Sequence, residues 1–300
     1  MPSLKPQRVR PVQKTSWWGL AQQAKRENLN QNCPRILVVT HARNFTLYRI
    51  TLRNSPNFHV LFNGDGFAAW GVLIDSPKTA RNTDGIDPSS ATNVTITHSS
   101  IHAGDDNAAI KAGTSGPPSH ISVAHNHFYT GHGMSIGSET NGGVEAVRVD
   151  DLTIDGADNG IRIKSNASRG GLAHDIVYSD VCIRDTRNPV VMDSTYPFFG
   201  AARDQLPEFR DIILRDVRIL TPGGITLEGY DAQHRLGIAF DNVQLDDASL
   251  TAATASHAEV ILGPGPVGFV PTGGDVQVKD LRTGSGHPIA CDARFVPLPR

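Results

Sequence analysis

Short apolar triplets recur along this chain at intervals of about 26 to 36 residues, and this repeat constrains the fold more than any other feature. Within each triplet apolar and polar side chains alternate, as they do in strands with one buried face. Examples lie at 94–96, 121–123, 147–149, 176–178, 212–214 and 238–240. A second apolar segment follows each triplet, and a third completes the period. Three short strands per repeat predict an all-β fold, a right-handed parallel β-helix.

The repeat also predicts the domain organisation. No linker-like composition interrupts the chain, so we predict a single β-helix domain over residues 1–300. Its coils occupy residues 35–248. Residues 1–34 form an N-terminal flank whose helix candidate is Trp17 to Asn28, and residues 249–300 form a last coil and an irregular tail.

A β-sandwich is the competing all-β fold. Its strands would be joined by hairpins with signals such as Asn-Gly, and the Asn-Gly pairs of this chain do not recur in register. The β-helix is therefore favoured. One longer interval, near residues 193–208, has the composition of a protruding loop.

Charge and cysteine content narrow the possible functions. The 28 basic and 30 acidic side chains give a net charge of −2 without a basic run, so no nucleic-acid partner is expected. No apolar run is long enough to span a membrane, and the basic start leads into no apolar segment, so no signal peptide is expected in the chain as given. Cys33, Cys182 and Cys291 form no CxxC pair, which argues against a zinc site. Cys182 lies in an apolar triplet and is interpreted as a core residue.

Four polar clusters lie about one repeat apart, so a coiled chain would stack them side by side. They are Asn82–Asp87, Gly104–Asp106, Gly131–Gly133 and Arg162–Lys164. Inverting hydrolysis of a glycosidic bond needs an acidic carboxyl group and a carboxylate that holds water, about 6.5 to 9.5 Å apart. Asp84, Asp105 and Asp106 can supply both groups.

Asp105 and Asp106 are adjacent, so they repel each other when both are ionised. We expect the pKa of one of them to be raised, which would keep that group protonated as an acid. The alternative is a solvated turn, which is the interpretation of Asp150-Asp151 in the same chain. The position one coil after Asp84 favours the catalytic interpretation.

Register predicts the neighbours of this pair. Aligning residues 108–110 with 134–136 places His132 next to Asp106, where a histidine could share or tune the carboxylate proton. Arg162 and Lys164 alternate with isoleucines, so both cations should project from one face and suit an anionic substrate. The alternative is that these cations only form ion pairs with aspartates.

These segments together resemble the polygalacturonases of glycoside hydrolase family 28. The matching motifs are NTDGID, GDDNAAIK, GHGMSIGSET and GIRIKS, and the upstream stretch SWWGLAQQAKRENLNQNCPRILVV is similar to the bacterial endopolygalacturonases. The resemblance covers roughly residues 16–247. It implies a catalytic domain that hydrolyses α-1,4-linked galacturonan with inversion, acts within the polymer, and uses no metal or organic cofactor.

The resemblance also implies a role for individual residues. Asp105 would be the general acid, Asp84 and Asp106 would position the attacking water, and His132 would support the carboxylates. Substrate would be bound by Arg162, Lys164, Tyr196 and Asn82.

Further expectations follow from the same resemblance. The partner would be a pectic polysaccharide, the protein a secreted monomer, and the family would place further coils and a helical cap before the segment that opens this chain. Without them we expect exposed apolar surface and aggregation. Four other functions stay open: an exo-acting polygalacturonase, a rhamnogalacturonan hydrolase, for which the Gly-His-Gly motif is unexpected, a calcium-dependent pectate lyase, and a non-catalytic carbohydrate-binding β-helix.

Overall fold

Parallel strand pairing dominates the computed structural model, which describes residues 16–29, 33–113, 116–197 and 205–300. Each repeat contributes strand segments to three ladders, and each ladder pairs a segment with its equivalents in the preceding and following repeats. This is the predicted parallel β-helix, and the fold prediction is confirmed. The single domain over residues 1–300 stays a prediction.

The elements begin with one helix, α1 (Trp17–Arg26), and a short 3₁₀ helix covers Ala248–Leu250. In chain order the strands are β1 (Leu37–Tyr48), β2 (Thr51–Arg53), β3 (Val60–Trp70), β4 (Leu73–Asp75), β5 (Ile86–Pro88), β6 (Thr92–Thr97), β7 (Ser100–His102), β8 (Ala108–Ala112), β9 (Ser119–Tyr129), β10 (Met134–Thr140), β11 (Val147–Asp155), β12 (Asn159–Lys164), β13 (Leu172–Ala173), β14 (Ile176–Arg184), β15 (Asn188–Asp193), β16 (Glu208–Phe209), β17 (Ile212–Ile219), β18 (Gly224–Glu228), β19 (Leu236–Leu245), β20 (Ala252–Leu262) and β21 (Thr272–Asp280).

The ladder that contains β8, β10 and β12 positions the candidate site. Met134 of β10 pairs with Ala108 of β8 on one side and with Ile161 of β12 on the other. All three side chains point inward and are fully buried. The residues between the inward positions therefore point outward, which places the polar residues of consecutive coils side by side on one face.

The predicted N-terminal helix is confirmed and ends at Arg26, two residues before the expected end. Ser16 caps it by accepting a hydrogen bond from the Gly19 amide (3.1 Å), as N-cap serines do. The Trp18 indole donates to the Ser55 carbonyl (2.8 Å) and fixes the helix to the first coils.

The interpretation of Cys182 as a simple core residue is wrong. Cys182 is fully buried, but it forms a disulfide with Cys291 across 109 residues. The C-terminal tail folds back along the coils and brings Cys291 there, and Arg294 pairs with Asp151 and Asp180 (both 2.6 Å). Spacing in the sequence could not reveal this pairing because the tail crosses several coils.

Two other expectations have partial outcomes. Of the loop predicted over 193–208, residues 198–204 lie outside the described part of the chain. Among the described residues, no helix has both the length and the apolar content needed to cross a membrane. Aggregation of the chain stays a prediction.

Candidate active site

Three aspartates meet on the face of the ladder formed by β5, β8, β10 and β12. One oxygen each from Asp84, Asp105 and Asp106 lies within 4.8 Å of the other two. Asp84 and Asp106 are buried, whereas Asp105 is half-buried and lines a cleft. The predicted meeting of the two aspartate clusters is therefore present, with a closer approach than the 6.5 to 9.5 Å expected for an inverting pair.

The turn before Asp84 explains how two coils align these carboxylates. Thr83 donates its hydroxyl to the Ala80 carbonyl (2.6 Å) and accepts the Gly104 amide of the next coil (3.0 Å). Asn82 has a positive φ of 56°, a backbone conformation that asparagine tolerates better than most residues. One buried hydroxyl thus links the NTDGID turn to the turn that carries Asp105.

Asp106 is fixed by cations of the coil two repeats further on. Arg162 Nη2 lies 2.5 Å from Asp106 Oδ1, and Lys164 Nζ lies 2.9 Å from Oδ2. Ser135, from the coil between, donates to Oδ1 (2.7 Å). Burial alone would raise the pKa of Asp106, but the charges of Arg162 and Lys164 outweigh it and hold that pKa well below its usual range. Adjacency to Asp105 therefore does not keep Asp106 protonated.

Asp84 has the opposite electrostatics. Burial raises its pKa well above the usual range, and the Lys111 ammonium, 3.0 Å from Oδ2, lowers it only in part. Lys111 also lies 2.8 Å from Asp87 Oδ2. Burial raises the pKa of Asp87 to about 6. The site therefore combines a carboxylate that stays ionised with a buried pair that ionises less readily.

His132 occupies the predicted position beside the aspartates. Its amide donates to the Asp105 carbonyl (3.0 Å), and its ring Nδ1 accepts a hydrogen bond from the Asn159 side chain (3.0 Å). Burial and the Arg162 charge lower the pKa of His132, although Asp106 and Asp105 raise it. The flanking glycines, Gly131 and Gly133, have positive φ, and a Cβ at either would collide with backbone carbonyls of neighbouring coils. The two glycines of the Gly-His-Gly motif are thus required by close packing of the coils.

A cleft of about 350 Å³ opens above this cluster. Its lining joins Asn82, Asp105, His132, Arg162 and Tyr196 to residues of α1, of the turn after β4 and of the turn after β7, namely Gln22, Lys25, Thr79, Arg81 and Gly104. The Tyr196 ring centroid lies 5.4 Å from the Lys164 ammonium. Within the described residues, Lys25 and Arg81 form no ion pair.

All eight candidate residues of the sequence therefore lie in or beside one cleft. The sequence did not single out Ser135, Lys111 or Asp87 for a role at this site. Each points outward from a strand of the site ladder, so the alternation that marked Arg162 could have marked them. Gln22 and Lys25 could not be found from strand alternation, because they lie on helix α1, which is distant in sequence from the polar clusters.

A cleft with ionised and protonatable carboxyl groups, set on the face of a parallel β-helix, holds the kinds of group that hydrolysis of a glycosidic bond requires. The comparison with protein families agrees. The model of glycosyl hydrolases family 28 matches residues 12–261, and the chain belongs to this family.

Individual relatives are similar over most of the chain. An endo-polygalacturonase of Pectobacterium carotovorum subsp. carotovorum is 48% identical over 239 residues, which cover 79% of this chain and 58% of the relative. A polygalacturonase of Ralstonia solanacearum is 38% identical over 94% of this chain and 63% of its own length. The solved polygalacturonase from Erwinia carotovora ssp. carotovora superposes with a TM-score of 0.77 and 42% identity, covering 90% of this chain and 66% of that one. The chain thus spans less than two thirds of these relatives.

Proposed function

We propose that this protein is a polygalacturonase that hydrolyses α-1,4-galacturonosyl linkages within polygalacturonan, with inversion at the anomeric carbon. The observation that carries the proposal is a set of three carboxyl groups in a cleft lined by cations, and two of these carboxyl groups, Asp84 and Asp106, have pKa values shifted in opposite directions. Relatives 48% and 47% identical to this chain bear the name endo-polygalacturonase, which supports cleavage within the polymer.

The geometry supports distinct roles for the three carboxyl groups. Asp105 lines the cleft and is placed to protonate the glycosidic oxygen as that bond breaks. Asp84 and Asp106 lie behind it and would orient the attacking water, and Asp84, whose pKa is raised, would accept its proton. Asp106 is a poor candidate for a nucleophile because the cations and Ser135 occupy both of its oxygens. This favours inversion although the carboxyl oxygens are closer than in a typical inverting pair.

An anionic polymer suits the charges of the cleft. Arg162 and Lys164 both pair with Asp106, so these two cations carry one positive charge more than the carboxylate neutralises. That excess positive charge would attract the carboxylates of the substrate. Lys25 and Arg81 line the cleft and pair with no carboxylate in the described part of the chain, so they are the cations with most to gain from binding galacturonate. Tyr196 and Asn82 would contact the sugar rings.

The test is the release of reducing ends from polygalacturonic acid by the 300-residue chain, with Asp105→Asn as the inactive control and circular dichroism to confirm folding. The proposal expects reducing ends without ultraviolet-absorbing unsaturated products, and oligomers ahead of monomers. Proton NMR of early product should show the β-anomer. Binding without new reducing ends would overturn it in favour of a carbohydrate-binding β-helix, and unsaturated ends would indicate a lyase.

A pectic substrate also favours action outside the cell by a monomer. The Cys182–Cys291 disulfide supports this location because disulfides persist in oxidising compartments. Fractionation of the native host, with the protein found in the culture medium or the cells, tests the location. Size-exclusion chromatography tests the oligomeric state.

A further inference from the structure

Lys111 lies in a buried polar group that the roles described so far do not use. Its ammonium lies 3.0 Å from Asp84 Oδ2 and 2.8 Å from Asp87 Oδ2. The Phe58 ring lies 4.0 Å from the same nitrogen, a cation–π distance. Asp87 is fully buried, and the side chain of Lys111 is only 13% exposed. One ammonium therefore joins two buried carboxyl groups, of which one belongs to the proposed water-binding pair.

The position of Lys111 on its strand fixes this arrangement. Lys111 follows the inward-pointing Ile110 on β8, so its side chain leaves the ladder on the outer face. Its backbone carbonyl accepts the Ser90 amide of the preceding coil (2.7 Å). Strand pairing thus holds the base of the side chain, and Phe58 limits where its end can go.

We propose that Lys111 and Asp87 are positioning residues for Asp84: Lys111 holds Asp84 as a carboxylate with Oδ2 occupied, and Asp87 limits how strongly it does so. The other oxygen of Asp84 is then the one available to the attacking water. This inference deepens the proposed hydrolase function and rests on it. Neither residue needs to touch substrate.

Charges from several elements face Asp84. Lys111 is the attractive one, and Asp87, Asp105 and Asp106 repel its negative charge. Glu139 of β10 acts on Lys111. Around Asp106 the charges of Arg162, Lys164 and His132 belong to the next coils. Neither Lys111 nor Asp87 lines the cleft or contacts Asp106, so both can be changed without removing a group that meets the substrate.

The two positioning residues should act in opposite directions. Removing the ammonium with Lys111→Met leaves Asp84 buried among like charges, so its pKa rises. Asp87→Asn removes the neighbouring negative charge and leaves the Lys111 ammonium paired with Asp84 alone, so the pKa of Asp84 falls. Since opposite charges at this distance shift a pKa by about 1 to 3 units, each change should move the acidic limb of kcat/KM by on the order of one pH unit. Lys111→Met should move the limb to higher pH, and Asp87→Asn should move it to lower pH.

The experiment measures pH profiles of kcat/KM on polygalacturonate for the native protein, Lys111→Met, Asp87→Asn and the double variant. Lys279→Met is the control, because Lys279 is an exposed lysine of the terminal strand β21. Circular dichroism checks folding of each variant. In parallel, ¹³C NMR follows the Asp84 carboxyl carbon in protein labelled at aspartate, with Asp84→Asn to assign the signal.

Opposite shifts of the single variants, with a double variant close to native, would support the inference. Loss of rate without movement of the acidic limb would overturn it and leave Lys111 a structural residue, as would a shift confined to the basic limb. The NMR titration separates this inference from the proposed function. Opposite shifts of the Asp84 signal in a protein without hydrolase activity would sustain the positioning role and refute the hydrolase, and an unchanged signal would refute the positioning role.

Discussion

Replacing both Cys182 and Cys291 by alanine should destabilise the protein without affecting the cleft. The disulfide closes a loop of 109 residues, and the chain-entropy argument gives a loss of about 4.7 kcal/mol for a loop of about 100 residues. Measured losses for native disulfides are about 2 to 5 kcal/mol, so we expect the free energy of unfolding to fall within that range. Both sulfur atoms are buried beside Ile289, and the alanine variant keeps most of that packing.

Equilibrium unfolding in urea, followed by circular dichroism, measures this loss. Cys33→Ala is the matched control because Cys33 is a free thiol that is half-buried, and its removal should change the free energy of unfolding by less than about 0.5 kcal/mol. Reducing agent should lower the free energy of unfolding of the native protein by the same amount. It should lower that of Cys33→Ala equally, because this variant keeps the disulfide. A double variant with native stability would refute the reasoning. It would mean that the contacts of Arg294 alone hold the tail and that the unfolded chain gains nothing from the opened loop.

Two further predictions concern the charges of the site. Asp87→Asn should stabilise the protein at pH 7. The native-state pKa of Asp87 is about 6 and the unfolded value is 3.8, so keeping Asp87 ionised in the folded protein costs about 3 kcal/mol above pH 6. The stability gained by the variant should therefore vanish as pH falls through 6 towards 4. Urea unfolding at pH 4 and pH 7 checks this, and equal stabilities of variant and native protein at both pH values would contradict it. Lys25→Ala and Arg81→Ala should each raise KM for polygalacturonate several-fold at low salt, with kcat changed by less than about twofold. The rise in KM should be smaller at high ionic strength because salt screens these contacts. Lys279→Ala serves as the control, and KM values independent of both residues would remove them from the binding site.

Much of the fold was predictable because the alternation of side chains survives in nearly every coil. The triplets at 94–96 and 121–123 form paired segments of β6 and β9, in the register that the repeat predicted. The same register predicted the neighbourhood of Asp106 and His132. Inward and outward positions are a local property of a strand, so a single sequence reveals them.

Interactions that depend on the reach of side chains were not predictable. Repulsion between Asp105 and Asp106 suggested a raised pKa within that pair, but Asp106 responds mainly to cations from a coil two repeats away. The raised pKa belongs instead to Asp84, for which burial decides. Adjacency in sequence was a poor guide because the Arg162 and Lys164 charges lie 2.5 and 2.9 Å from the Asp106 oxygens and outweigh the other influences on its pKa.

The spacing of the coils explains why this site uses long cations. Neighbouring strands of a sheet are about 4.8 Å apart, so a side chain two coils away must span about 9.6 Å. Arg162 and Lys164 cover most of that distance and the Asp106 side chain covers the rest, and Ser135 on the coil between donates to Asp106 while accepting from Arg162 Nε (3.2 Å). A slip of β12 by one residue would turn both cations inward and Ile161 and Ile163 outward. The burial of those two isoleucines and the ionised state of Asp106 therefore depend on the same register, so the pairing that forms the core also forms the site.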